Sequence, residues 1–318
     1  IFEMAFGEQA FPVEEDDAKV KKAVNAAYAS YQDLIRKDAA FFRKNLISDI
    51  ESIYEHYISA LSLMAGFAGI AQADKKVSHK NFVGNAWVQA LATSESMKKE
   101  AAKLGRNWDG KADVVGGWFR DLIRQDNEYL AYLDRKSPSE EDQRKFISYL
   151  FKKVIFGKTV INDYYEEDVL RWTEDKDIVK ALVEKTIKSY EPGAGKEIAL
   201  HTLSLTWEED KEFIEKLFDT SVELPEKYDK LIANNTRNWE VDRLPLTDRI
   251  ILEMAIAEFV SFPNIPVKVT INEYIELAKN YSTPKSRQFV NGILDVMAKE
   301  LQDEGDIRKS GRGLIDNK

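Results

Sequence analysis

The sequence predicts an all-α protein, and three observations carry the prediction. Apolar residues recur at helical spacing along most of the chain, strict apolar/polar alternation is scarce, and only 15 Gly and 8 Pro interrupt 318 residues. With 44% hydrophobic and 11% aromatic residues, the chain can fill a sizeable core. A formal charge of -9 argues against indiscriminate binding to nucleic acid, which is driven by cation–phosphate contacts, but it leaves room for a local basic patch. The absence of cysteine excludes disulfides and thiolate zinc sites and suits a reducing compartment. No apolar run approaches the ~18 residues that span a bilayer, and no charged-then-apolar leader is visible, so the expectation is a soluble, cytoplasmic protein without membrane contact. The numbered sequence opens on Ile1 rather than Met, and further residues are expected upstream.

In chain order, residues 18–37 form an Ala-rich helix, and residues 39–72 a long apolar-periodic one through Phe42, Leu46, Ile50, Ile53, Tyr57, Leu61 and Met64. Leu104–Gly117 reads as a surface loop, and Ser189–Lys196, with Pro192, Gly193 and Gly195, as a second. Glu140-Glu141-Asp142 and Glu208-Glu209-Asp210 each lead into an apolar helix, where acidic charge favours the N-terminus. Five prolines (Pro225, Pro245, Pro263, Pro266 and Pro284) punctuate shorter helices in the last third.

One register repeats. An offset of 67 residues carries Phe146, Ile147, Leu150, Phe151 and Trp172 onto Phe213, Ile214, Leu217, Phe218 and Trp239. Beyond the tryptophans, Asp175-Lys176 pairs with Asp242-Arg243. Two copies make a duplication rather than a solenoid, which needs three or more. Trp and Asp-Lys/Arg in this setting point to a buried indole and a local ion pair at a helix start.

Catalytic and metal chemistry find no footing. Gly193-Ala194-Gly195-Lys196 lacks the earlier glycine and the hydroxyl of a phosphate loop, because Tyr190 and Glu197 stand in those places. His56, His79 and His201 are scattered; Glu51 and Glu55 lie a helical turn apart, with His56 pointing off their face. Nothing pairs a nucleophile with a base, and no cofactor fingerprint occurs. The expectation is a protein that is not an enzyme and takes no cofactor or metal.

Binding is the remaining reading, and residues 265–301 carry it. Ile271, Tyr274, Ile275 and Ala278 make one apolar helix face, and Val290, Ile293, Leu294, Met297 and Leu301 a second. Thr283 stands as N-cap and Pro284 at the first helical position. Between Asn280 and Gly292 there is no acidic residue, while Tyr281, Lys285, Arg287 and Phe289 combine cations with aromatics. Single-stranded nucleic acid is held by that combination, with a helix N-terminus as a further anion site. The competing account makes both aromatics core residues and both cations solubilising charge, and spacing alone favours it.

The residues themselves add a resemblance. Ile265-Pro266-Val267-Lys268-Val269, Ile271-Asn272-Glu273, Glu276-Leu277-Ala278-Lys279 and Phe289-Val290-Asn291-Gly292-Ile293-Leu294-Asp295 closely resemble the C-terminal signature of the NusB family of transcription antitermination factors. Asp248 to Leu252 and Ala257 to Phe259 look like the family's preceding helix, and Ile1 to Gln9 like its first. The compact family pattern covers 207–302; residues 11–205 exceed it and look like the expansion of long bacterial versions.

The resemblance implies a NusB-like helical bundle, with an enlarged helical N-terminal half containing the partial duplication. It implies a non-catalytic factor that pairs with NusE, a ribosomal small-subunit protein, and binds boxA, a single-stranded RNA element of ribosomal RNA leaders. The complex then helps RNA polymerase read through terminators. The family's RNA-facing positions fall on Tyr281, Lys285 and Phe289, with Phe6 as the first-helix aromatic; position 285 is acidic in some relatives. Arg287 joins them from the basic-aromatic island. The family also carries an arginine-rich stretch directly before its first helix, expected here upstream of Ile1. For the protein partner, Glu253 and Glu258 are the candidates, since exposed carboxylates complement a basic ribosomal protein.

Two alternatives stand beside this reading. One is a helical interaction scaffold with little RNA binding. The other is an accessory domain of an RNA-modifying enzyme, because NusB-like domains occur fused to RNA cytosine methyltransferases; the missing glycine-rich strand–turn–helix and cysteine argue against it. The expected domains are 1–138, an N-terminal helical region; 139–205, a helical repeat unit; 206–305, the NusB-like domain; and 306–318, a flexible tail.

Overall fold

The computed structural model describes residues 18–194, 197–236 and 244–315, with side chains from Lys22 onward. Phe6, Gly195, Lys196, Trp239, Asp242 and Arg243 lie outside the described residues. Among the described residues all regular structure is helical, and the fourteen α-helices include no strand between them. The chain divides into two units, Ser48–Trp207 and the remainder on either side. The first helix, α1 (Ala18–Ala73), contributes to both. The two helices expected over 18–72 are one, since no Gly or Pro occurs between Ala18 and Ala65 to break it.

In the Ser48–Trp207 unit, Ile53, Tyr57, Leu61 and Met64 of α1 form the buried stripe that their spacing predicts. Short helices follow: α2 (Lys80–Val83) leads to α3 (Ala86–Thr93), capped by the Asn85 side chain, and to α4 (Glu95–Lys103), capped by that of Ser94. Next, α5 (Ala112–Trp118) widens into a π turn at Phe119–Ile123, and α6 (Asn127–Leu133) is capped by Asp126. A capping box between Ser139 and Asp142 starts α7 (Glu140–Tyr149), which widens into a second π turn, Leu150–Ile155. Then α8 (Thr159–Asp168) and α9 (Trp172–Ser189) close the unit.

Its core is aromatic. Trp172 is fully buried, stacks on Tyr165 at a centroid distance of 4.4 Å, and donates its indole N–H to Asn162 Oδ1 at 3.0 Å. The expected ion pair beside it is absent: Asp175 makes none among the described residues. The stretch 104–117 is only partly a loop, because Trp108 and Val115 are buried and the Trp108 indole donates to the Ser59 carbonyl.

The other unit continues with α10 (Trp207–Val222), α11 (Glu226–Thr236), α12 (Leu246–Ser261), α13 (Val267–Tyr281) and α14 (Ser286–Asp303). Helix α12 touches α11, α13 and α14. Surrounded in this way, it buries residues on every side, with Ile251, Leu252, Ile256 and Phe259 in the core. The four-residue connection makes α13 and α14 packed neighbours. Their predicted faces are buried: Ile271, Tyr274 and Ala278 from one, Val290, Ile293, Leu294, Met297 and Leu301 from the other.

The two copies of the sequence repeat sit in unlike surroundings. Phe146, Ile147, Leu150 and Phe151 are buried, whereas Phe213, Ile214, Leu217 and Phe218 on α10 are half-buried. Residues 306–315, expected as tail, are tied down. Ile307 is buried, Lys309 Nζ donates to the carbonyls of Phe259 and Phe262 at 3.0 Å, and the Ser310 N–H donates to Pro263 O.

Candidate nucleic-acid interface

The connection between α13 and α14 is built from hydroxyls. The Ser286 hydroxyl has one proton, which it donates to Asp248 Oδ2 at 2.8 Å, leaving its lone pairs for Ser282 and Thr283 at 3.0 and 2.8 Å. Two hydroxyls thus converge on a third, which points at one carboxylate of α12. Helix α14 begins at Ser286, two residues later than Thr283-Pro284 predicts, with Lys285 at the N-cap position. Thr283 caps nothing through its side chain; its carbonyl accepts the Ser286 N–H at 2.9 Å.

This anchoring leaves the rest of the turn outward. Tyr281, at the end of α13, is 55% exposed, and Lys285 and Arg287 are exposed and make no ion pair among the described residues. Tyr281, Lys285 and Arg287 therefore flank a single turn as one accessible aromatic and two cations.

Two sequence-predicted residues fall elsewhere. Phe289 is 7% exposed and belongs to the core with Val290 and Ile293, so it offers no face for a base. Glu258 is 5% exposed and accepts a hydrogen bond from the Tyr274 hydroxyl at 3.2 Å. Burial pushes its carboxyl above the usual range, against the Tyr274 hydrogen bond and the charge of Lys309. A carboxylate so enclosed cannot meet a partner protein. Glu253 is half-buried and accepts from Arg249 Nε at 2.7 Å on its own helix, while Arg249 also reaches Asp229. Phe6 lies outside the described residues.

Asp248 and Ser286, both 2% exposed, are the structural residues that sequence reasoning missed. Their signal was an Asp in the first turn of an apolar helix, which reads locally as dipole complementarity. Among the described residues no cluster of His, Asp and Glu could hold a metal ion, and no helix is long and apolar enough to cross a membrane.

Comparison with known proteins places this helix set. A family model described as the NusB family matches residues 178–299, from within α9 to the last turns of α14. A transcription antitermination protein NusB of Salinibacter ruber is 41% identical over 138 residues, 42% of this chain and 86% of the relative. One from Koribacter versatilis is 40% identical over 117 residues, 35% of this chain and 80% of the relative. One from Chloroherpeton thalassium is 44% identical over 106 residues, covering 33% of this chain and 50% of that protein. No solved structure matches. With most of two such relatives spanned at this identity, and with an all-α fold, the chain belongs to the NusB family of transcription antitermination proteins.

Proposed function

We propose that this chain binds a boxA-like single-stranded RNA together with NusE, and that the α13–α14 turn is part of the RNA site. The observation that carries the proposal is the exposure of Tyr281, Lys285 and Arg287 around a turn whose neighbours from 280 to 292 include no carboxylate. An exposed phenol ring can stack on a base, and the two cations can meet phosphates on either side of it. Ser282 and Thr283, both bonded to Ser286 and through it to Asp248, hold the backbone of the turn, so these side chains project from a fixed base. Phe289 supports the site from beneath, as packing.

The NusE contact rests on family membership and on charge. Glu253 remains the candidate on α12, with its side chain 22% exposed and its carboxylate already paired to Arg249. A basic partner would take over that pairing.

The test is a titration of the full chain with boxA-like and scrambled single-stranded RNA, with and without NusE. Replacing Tyr281, Lys285 and Arg287 together by Ala is expected to abolish preference for the boxA-like strand. Affinity that is sequence-blind in the parent and unchanged in the triple variant would refute the proposal.

A further inference from the structure

A second concentration of positive charge lies wholly within the Ser48–Trp207 unit. Helix α7, its π turn and helix α9 border an open groove of about 710 Å3 whose lining includes Arg144, Lys145, Lys152, Lys153, Lys180 and Lys188. Against these six cations the lining holds one carboxylate, Glu184, in a chain whose net charge is -9.

Half of these cations are partly neutralised. Lys145, Lys180 and Lys188 pair with Glu141, Asp177 and Glu184 at 2.7, 2.8 and 3.4 Å, each within its own helix. Exposed intrahelical pairs of this kind contribute little and are readily exchanged for a stronger anion. Arg144, Lys152 and Lys153 are exposed and make no ion pair among the described residues.

The backbone is arranged to place them. The π turn at Leu150–Ile155 adds a residue to the helical repeat, and Lys152 and Lys153 both line the groove together with Arg144, a little over two turns earlier. Gly157 closes the turn: a Cβ there would stand 2.5 Å from the Lys153 carbonyl oxygen and 3.0 Å from that of Lys152. Complementing the dipole at the end of α7 would account for Lys152 and Lys153. It does not account for Lys180 and Lys188 arriving from α9 on the same groove.

The chemistry of the lining selects the ligand. Five of the six cations are lysines, point charges on flexible stems, rather than the planar forks that fix a small anion. The aromatic lining residues, Phe151 and Phe156, are 2% and 5% exposed and offer no ring to a base. Protein interfaces are depleted in Lys and enriched in exposed aromatics, the reverse of this composition. We infer that this groove is a second RNA site, which holds the phosphodiester backbone of a single strand without reading its sequence. The inference rests on the RNA-binding reading of the chain, but on different residues.

The test uses the full chain and an oligouridylate that lacks any boxA-like element, with affinity followed by fluorescence anisotropy over a salt series. Changing Arg144→Gln, Lys152→Gln and Lys153→Gln together is expected to lower the slope of log K against log salt by about 2, at ~0.7 per lost contact, which is about a hundredfold in affinity across a tenfold change in salt. Arg144→Lys with Lys152→Arg and Lys153→Arg is expected to retain the parent slope. An unchanged slope in the Gln variant would overturn the inference. So would groove-dependent binding of poly-L-glutamate alongside groove-independent binding of oligouridylate, which would assign the groove to an acidic protein. The turn variant at Tyr281, Lys285 and Arg287 is read on boxA-like against scrambled RNA, so either reading can fail while the other survives.

Discussion

Ser286 donates its hydroxyl proton to Asp248 across 2.8 Å, joining the first residue of α14 to the first turn of α12. Both side chains are 2% exposed, and Asp248 Oδ1 has no hydrogen-bond partner. The carboxylate therefore depends on one hydroxyl. Ser286→Ala would leave it buried without that donor, and is expected to cost about 1–3 kcal/mol in urea unfolding. The double variant with Asp248→Ala should lose less than the two single losses combined, because the orphaned carboxylate goes with it. Strict additivity would show that the two residues are not coupled.

Tyr281 and Phe289 should separate binding from packing. Phe289→Ala empties a core position, with an expected loss of about 3–5 kcal/mol in stability. Tyr281→Ala removes an exposed ring and should leave stability within about 0.5 kcal/mol. If its ring stacks on a base, the same change weakens boxA-like RNA by about 1–3 kcal/mol. Denaturant unfolding and RNA titration on both variants check the split. A stable Phe289→Ala protein with impaired RNA binding would reverse the assignment.

The helical stripes explain which parts were legible. Ile271, Tyr274 and Ala278, then Val290, Ile293, Leu294, Met297 and Leu301, are buried as their spacing requires. That same spacing places Phe289 beside Val290 and one turn before Ile293, on the core face; the basic-aromatic composition of the stretch and the family resemblance, not the helical spacing, gave it an RNA role. Glu258 was misread because a carboxylate at the end of a helix reads as solvated charge. Its partner Tyr274 comes from another helix, and α12 is buried at every position from Ala255 to Phe259, which no local pattern reports. The basic groove was invisible for a similar reason, since its cations come from α7, its π turn and α9 and meet only in three dimensions.

Glu258 also makes stability depend on pH. Its carboxyl is raised by burial, so above the ordinary value of 4.5 the unfolded chain ionises while the folded protein keeps its proton. The folded state then loses stability as pH rises from about 4.5 through the folded value. Glu258→Gln keeps an acceptor for the Tyr274 hydroxyl and removes the titration. The variant is expected to gain on the parent between pH 4 and pH 7 in urea unfolding. A difference that does not change with pH would show that Glu258 ionises at no cost.

His56 should set a loss of stability on the acid side. The ring is fully buried, and since Asp168 can only accept, the hydrogen bond at 3.4 Å requires the proton on Nε2 and leaves Nδ1 as an unpartnered acceptor. Burial lowers its pKa from 6.5, and the charge of Arg106 lowers it further against the opposing pull of Asp168. Below pH 6.5 the unfolded chain binds a proton that the folded ring refuses, so stability falls as pH falls from 6.5 to the folded value. Asp168 acts in a separate, lower window. Burial raises its carboxyl, but the Arg106 hydrogen bond and charge outweigh that and hold it below 3.8, so its contribution disappears only as pH falls past 3.8. His56→Phe keeps an aromatic ring against Tyr165 and Trp172. Its stability should decline less than the parent's as pH falls from 6.5 towards the folded His56 value, and the two curves differ again below pH 3.8, where Asp168 has lost the His56 hydrogen bond that helps hold it low. His201, also lowered by burial, titrates in both proteins and drops out of the difference. Parallel curves from pH 7 downward would show that the buried imidazole takes up its proton without penalty.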